Sequence, residues 1–158
     1  MMDSKLIHAI EFREKGKYEE SKEILLDLVE SSTDPEVYFQ CAWTHDTLGL
    51  ESDAIVFYEK AIALGLSGES LIGCYIGLGS SLRCTGKYKK ANDIFSEALV
   101  KFEENDVLKT FLAMTKYNLK EYEEAMKLLL SIVVKVEGVN KFEKVIGFYQ
   151  QHLNDIFN

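Results

Sequence analysis

Leu78-Gly79-Ser80-Ser81-Leu82-Arg83-Cys84-Thr85-Gly86-Lys87-Tyr88-Lys89-Lys90-Ala91-Asn92-Asp93-Ile94-Phe95-Ser96-Glu97-Ala98-Leu99 reads as two helices meeting at a tight turn. Gly86 ends the first, because a helix stop favours a residue free to adopt positive φ. Tyr88, Ala91, Phe95 and Ala98 recur at helical spacing on one face of the second. Gly79 and Ala91 are the small residues of the two helices, so their backbones can approach closely.

The same unit occurs three more times. Turn positions fall at Gly16, Gly49, Gly86 and Lys120, spaced by 33, 37 and 34 residues. The small residue of each second helix falls at Ser21, Ala54, Ala91 and Ala125 in the same register. Bulky residues follow at Leu25, Tyr58, Phe95 and Leu129, and a further column runs Leu28, Ala61, Ala98 and Ile132. The small residue of each first helix runs Ala9, Ala42, Gly79 and Ala113. A fixed period of this length marks a stacked-repeat architecture. The expected fold is therefore all-α: an α-solenoid of four helical hairpins in one domain spanning 1–158. The repeats are placed at about 3–32, 34–64, 69–103 and 105–136.

Capping signals fit these limits. Thr33 and Glu36 have capping-box spacing, with Pro35 in the first turn. Asn105 can cap the fourth hairpin. Lys120 stands where the other turns have glycine, at a modest conformational cost. After Gly138, Asn140 with Glu143 can cap a last helix at about 141–156. Its stripe is Phe142, Val145, Ile146, Tyr149, Leu153 and Ile156. Gly147 lies 34 residues after Ala113, so this helix looks like the first half of a fifth repeat. The second helix of the fourth unit contains Leu128-Leu129-Leu130-Ser131-Ile132-Val133-Val134, apolar nearly all round. Such a helix needs cover on more than one side, and the terminal stripe is the expected cover.

Composition narrows the function classes. The chain has 158 residues, 47% of them hydrophobic, with a single Pro and a net charge of −8. That balance opposes non-specific nucleic-acid binding, which rests on cationic contacts to phosphates. Arg83, Lys87, Lys89 and Lys90 form a small basic cluster and read as a solvated turn. The start, Met-Met-Asp-Ser-Lys, lacks a charged-then-apolar export pattern. The longest apolar run, Leu128 to Val134, is too short to span a membrane. Three reduced cysteines and a cytoplasmic location are the expectation.

The helix–turn–helix repeat resembles the tetratricopeptide repeat along essentially the whole chain. Gly86-Lys87-Tyr88-x-x-Ala91 and Gly16-Lys17-Tyr18 are its most typical pieces. The second unit departs at Glu51 and the fourth at Lys120. Gly77-Leu78-Gly79-Ser80-Ser81-Leu82-Arg83-Cys84 and Phe111-Leu112-Ala113-Met114-x-x-Tyr117-Asn118-Leu119 are similar to the small bacterial family called tetratricopeptide repeat group 5. The broad family mediates protein–protein contacts, so the resemblance implies a non-enzymatic adaptor, and a homodimer by analogy. Chaperone co-factors with this repeat clamp an acidic peptide terminus with Lys, Asn and Arg. The matching positions here are Leu6, Ile10, Gln40, Gly73 and Gly77, so that activity does not carry over.

No catalytic constellation emerges, and no cofactor or metal is expected. Cys41 and His45 share a helix face, as a thiolate–imidazole pair or metal half-site would. Further ligands are lacking, and core packing is the preferred reading for both, as for His8. Cys74 and Cys84 lie on one helix, ~15 Å apart in rise, and cannot pair.

Binding is the better reading. First helices of stacked hairpins line the concave side. Positions outside the packing columns give Leu6, Ile7, Ile10 and Arg13, then Phe39, Gln40, Trp43 and Thr47, then Ile76, Gly77, Ser80 and Arg83. The fourth unit adds Val107, Thr110, Phe111, Met114, Tyr117 and Asn118. The candidate partner-binding groove is Phe39, Gln40, Trp43, Ile76, Ser80, Arg83, Phe111, Met114, Tyr117 and Asn118. Arg83 is its most central cation. The expected occupant is a segment of another protein. The alternatives are a self-associating homodimer whose apolar surfaces meet, or a Cys/His metal or thiol protein built on Cys41 and His45.

Overall fold

The computed structural model describes residues 3–156. Among them are nine α-helices, one short 3₁₀ turn and no strand. The helices form two compact units, 1–87 and 88–158.

The first unit holds α1 (Ser4–Glu14), α2 (Tyr18–Val29), α3 (Pro35–Thr47), α4 (Glu51–Ala63) and α5 (Gly68–Cys84). Each helix packs on the next, and the first helices α1, α3 and α5 also touch in sequence. α1 starts at Asp3, whose carboxylate accepts from Lys5 N at 2.7 Å. α3 starts one residue later than the capping-box reading places it. Asp34, not Thr33, accepts from Glu36 N at 2.9 Å, and Pro35 follows as the first helical residue. Asp34 is closer to the free amide than Thr33, and Pro35 fixes the entry dihedral beside it.

Leu6, Ala9, Leu25, Leu28, Val37 and Cys41 form one buried cluster joining α1, α2 and α3. Leu6 thus belongs to the core and not to a concave surface. The next layer is built on Tyr58 of α4, which is 2% exposed. Its ring lies so close to Gly77 that an added Cβ would sit 2.3 Å from it. Gly77, expected on the concave face, is the point where α5 meets α4.

The second unit holds α6 (Tyr88–Lys101), α7 (Asp106–Asn118), α8 (Tyr122–Val133) and α9 (Glu143–Gln151). Asn105 caps α7 through Leu108 N at 3.0 Å, as its position suggests. The turn before α8 adopts φ +66° at Lys120, matching +75° at Gly86, so a lysine holds a glycine conformation there. Ala91, Phe95, Ala98, Leu108, Leu112, Ala113 and Ala125 are buried.

The terminal helix departs from expectation in two ways. Asn140 begins a 3₁₀ turn, and α9 starts after Phe142 with no side-chain cap. It then ends at Gln151, because His152 leaves helical geometry and its Nδ1 meets Asp155 Oδ2 at 2.7 Å. Phe142, Val145, Tyr149 and Leu153 are exposed and do not cover α8. Ile146 of the same stripe is half-buried, and polar groups also join α9 and the residues after it to α8. Gln150 Nε2 donates to Lys127 O at 2.6 Å, and Asn154 Nδ2 donates to Glu123 Oε2 at 2.8 Å.

Candidate partner-binding surface

In the first unit the candidate residues sort by depth. Phe39 is 5% exposed and Gln40 is also buried, so neither presents to a partner. Phe39 escapes the repeat columns yet is buried because Gly73 of α5 leaves room beside it. A Cβ on Gly73 would lie 3.1 Å from the Phe39 ring. Phe39 also meets Tyr58, with ring centroids 6.3 Å apart. Gln40 donates from Nε2 to Glu36 Oε1 at 2.7 Å, and its Oε1 is buried without a hydrogen-bond partner.

Trp43 rests on this layer. It is 47% exposed, and its ring centroid lies 5.8 Å from that of Phe39. The Arg13 guanidinium sits 4.1 Å from the Trp43 ring centroid. Arg13 is buried and donates from Nη1 to Gln40 O at 3.4 Å. Burial lowers the Arg13 pKa from its ordinary value, while Glu14 opposes the shift. An arginine side chain remains charged in proteins, so the contact is a cation over an aromatic face. Arg13, a concave-face position by sequence that the narrower groove set leaves out, is the residue that braces Trp43. Its place outside the packing columns of the first helix is the signal in the sequence.

On α5, Ile76, Ser80 and Arg83 are half-buried. Arg83 is already engaged with another group, as is Asn118 of α7. In the second unit, Phe111 is half-buried and stacks on Phe95 with centroids 5.9 Å apart. Met114 is exposed, and Tyr117 is 64% exposed beside Tyr122, with centroids 5.2 Å apart. Trp43 is therefore the exposed candidate of the first unit, and Met114 and Tyr117 those of the second.

The thiol and imidazole groups have structural partners. His45 is buried, and its Nδ1 lies 2.8 Å from Cys41 O. A carbonyl only accepts, so Nδ1 donates there and cannot take a proton from Cys41 Sγ, 3.7 Å away. Burial pushes the Cys41 thiol up to about 12. The pair does not form a thiolate–imidazole couple. His8 is exposed, contrary to the packed position expected of it, because it stacks on Phe12 along the outer face of α1 at 4.6 Å. Among the described residues, no three His, Cys, Asp or Glu side chains converge as a metal site would require. No helix among them is long and apolar enough to cross a membrane.

Consecutive antiparallel helices in one repeated register define a helical-hairpin repeat protein. The chain belongs to the tetratricopeptide repeat family: residues 35–153 match TPR_5, described as Tetratrico peptide repeat. No curated protein matches it. Similar solved structures share its fold at low identity. One, titled "MamA RS-1 ArsTM double mutant", is 17% identical with a TM-score of 0.74, covering 98% of this chain and 88% of that one. Another, "MamA 41-end from Desulfovibrio magneticus RS-1", is 15% identical with a TM-score of 0.73, covering 99% and 100%. A third, "Crystal structure of MamA protein", is 15% identical with a TM-score of 0.71, covering 98% and 77%.

Proposed function

We propose that this protein is a non-enzymatic interaction scaffold in the cytoplasm. Its first-helix face receives a segment of another protein, anchored at Trp43. The observation that carries this reading is a half-exposed indole held on one side by a buried guanidinium and backed by Phe39. A ring so braced loses little conformational freedom on binding, and Trp is a preferred anchor at interfaces. Ile76 and Ser80, half-buried on α5, belong to the same proposed face. In the second unit, Met114 and Tyr117 offer a further contact of the same character, with Phe111 behind them. Membership in a family of interaction modules supports the class of function.

The test is capture from native cell extract by the wild-type chain and by Trp43→Ala and Tyr117→Ala. A specific partner should be retained by the wild type and lost with Trp43→Ala, a change worth about 2 kcal/mol or more of affinity. Equal capture by folded wild type and Trp43→Ala would refute the anchor.

A further inference from the structure

We propose that Asp46, Ser81 and Gly77 form a proton-operated latch between α3 and α5. A proton on Asp46 is donated to Ser81 Oγ, and the Ser81 hydroxyl turns its own proton to Gly77 O. The starting observation is a count of protons. Ser81 Oγ lies 2.9 Å from Asp46 Oδ1 and 2.9 Å from Gly77 O. A hydroxyl has one proton to give and lone pairs with which to accept, whereas a carbonyl only accepts. An ionised Asp46 also only accepts, so Ser81 faces two acceptors with one proton. The carboxylate takes it, because hydrogen bonds to charged groups are the stronger ones. The contact with Gly77 O is then one oxygen against another. A proton on Asp46, taken from solvent, removes the conflict. The acid donates to Ser81, Ser81 donates to Gly77, and both short contacts become hydrogen bonds running one way from α3 into α5.

The neighbouring groups leave Asp46 as the site of that proton. Tyr58 of α4 offers its hydroxyl to Asp46 Oδ2 at 3.3 Å. Burial pushes this phenol far up, so it stays a donor in either state of Asp46. Cys74 of α5 and Arg13 of α1 act on the Tyr58 hydroxyl. Burial pushes the Cys74 thiol up to about 12, so it is neutral, and Arg13 keeps its charge. Burial is the largest influence on Asp46 itself and favours the neutral acid, as does the like charge of Glu51 at the start of α4. The bonds from Ser81 and Tyr58 oppose it. Ser81 is 1% exposed, so water does not replace either of its two partners.

The latch lies under the proposed binding face. Gly77 and Ser81 are one turn apart on α5, and the Tyr58 ring packs against Gly77. Asp46 follows Trp43 by about one turn on α3, and Ile76 and Ser80 adjoin Gly77 and Ser81 in sequence. Closing the latch therefore fixes together the two helices that carry Trp43, Ile76 and Ser80. Its consequence for binding rests on Trp43 as the anchor, but the latch itself does not.

Carbon-13 NMR of the full chain, titrated between about pH 8 and 4, tests this without any partner. A failed latch and a failed anchor are thus read separately. The Asp46 carboxyl should titrate above the ordinary aspartate value of about 4. The Gly77 carbonyl should shift downfield with the same midpoint, as a carbonyl does on gaining a hydrogen bond. In Ser81→Ala, Asp46 should still titrate while Gly77 loses its response. Asp46→Asn places an N–H donor beside Ser81 at every pH, so Gly77 should stay at its acid-end position throughout. If either variant fails to fold, the wild-type titration decides alone. A Gly77 carbonyl that stays level while Asp46 titrates would overturn the latch, and so would an Asp46 midpoint at or below about 4.

Discussion

Trp43 is neither a free surface residue nor a core one, and its energetics follow from that. Half its ring is buried and one face carries Arg13. Trp43→Ala should cost about 1–2 kcal/mol of stability, from partial area burial and a lost cation–π contact. A fully buried aromatic would cost about 3–5 kcal/mol. Chemical denaturation separates the two ranges. Asp46 offers a second test at this scale. Its carboxylate accepts from Ser81 Oγ at 2.9 Å and from Tyr58 Oη at 3.3 Å. Burial raises its pKa above the ordinary value, and the two hydrogen bonds only partly offset this. A raised carboxyl contributes stability below its unfolded pKa and loses it as pH rises through the folded one. Wild type should therefore gain stability from this site as pH falls towards about 4. Asp46→Asn should keep the Ser81 bond and lose that component. Parallel denaturation at neutral and mildly acid pH checks it, and identical pH profiles would contradict the burial argument. Asp46 was hidden in the sequence because a charged residue on a helix ordinarily reads as solvated. Only the packing of the next hairpin reveals that it is not.

Close approach between elements depends on a few small residues. Gly77 lets α5 lie against the Tyr58 ring of α4. Gly77→Ala places a methyl group inside that ring's contact distance, so the helices must separate or Tyr58 must leave its rotamer. Overpacking of this kind costs about 1–3 kcal/mol. The midpoint of thermal unfolding should fall, and Gly147→Ala, where the added carbon meets open space, should leave it level or higher. The five repeat columns were legible because each needs only a period and a residue size. They placed Ala9, Ala42, Gly79 and Ala113 correctly at buried positions. The pattern gives the apolar face of a helix and not what covers it. That is why Phe39 read as surface and proved to be core, and why Phe142, Val145 and Tyr149 read as cover for α8 and proved exposed. The candidate surface was half legible for the same reason. Trp43, Met114 and Tyr117 are exposed, while Phe39 lies buried behind Trp43 and Gln40 is buried as well.

Across the whole chain, burial falls away towards the C-terminus. In the first unit, fully buried large side chains include Tyr58, Tyr75, Leu25 and Leu78. In α8 the buried residue is Ala125, and α9 has none. Repeat proteins hold together through neighbour interfaces, so stability can vary along the chain. Local opening is governed by the apolar contacts each element makes. Amides of α3 to α5 should exchange with solvent at least tenfold more slowly than those of α8 and α9. Hydrogen exchange read by mass spectrometry measures the gradient along one chain. Uniform protection from α1 to α9 would mean that the chain unfolds as a single cooperative unit, and the gradient inferred from burial would be wrong.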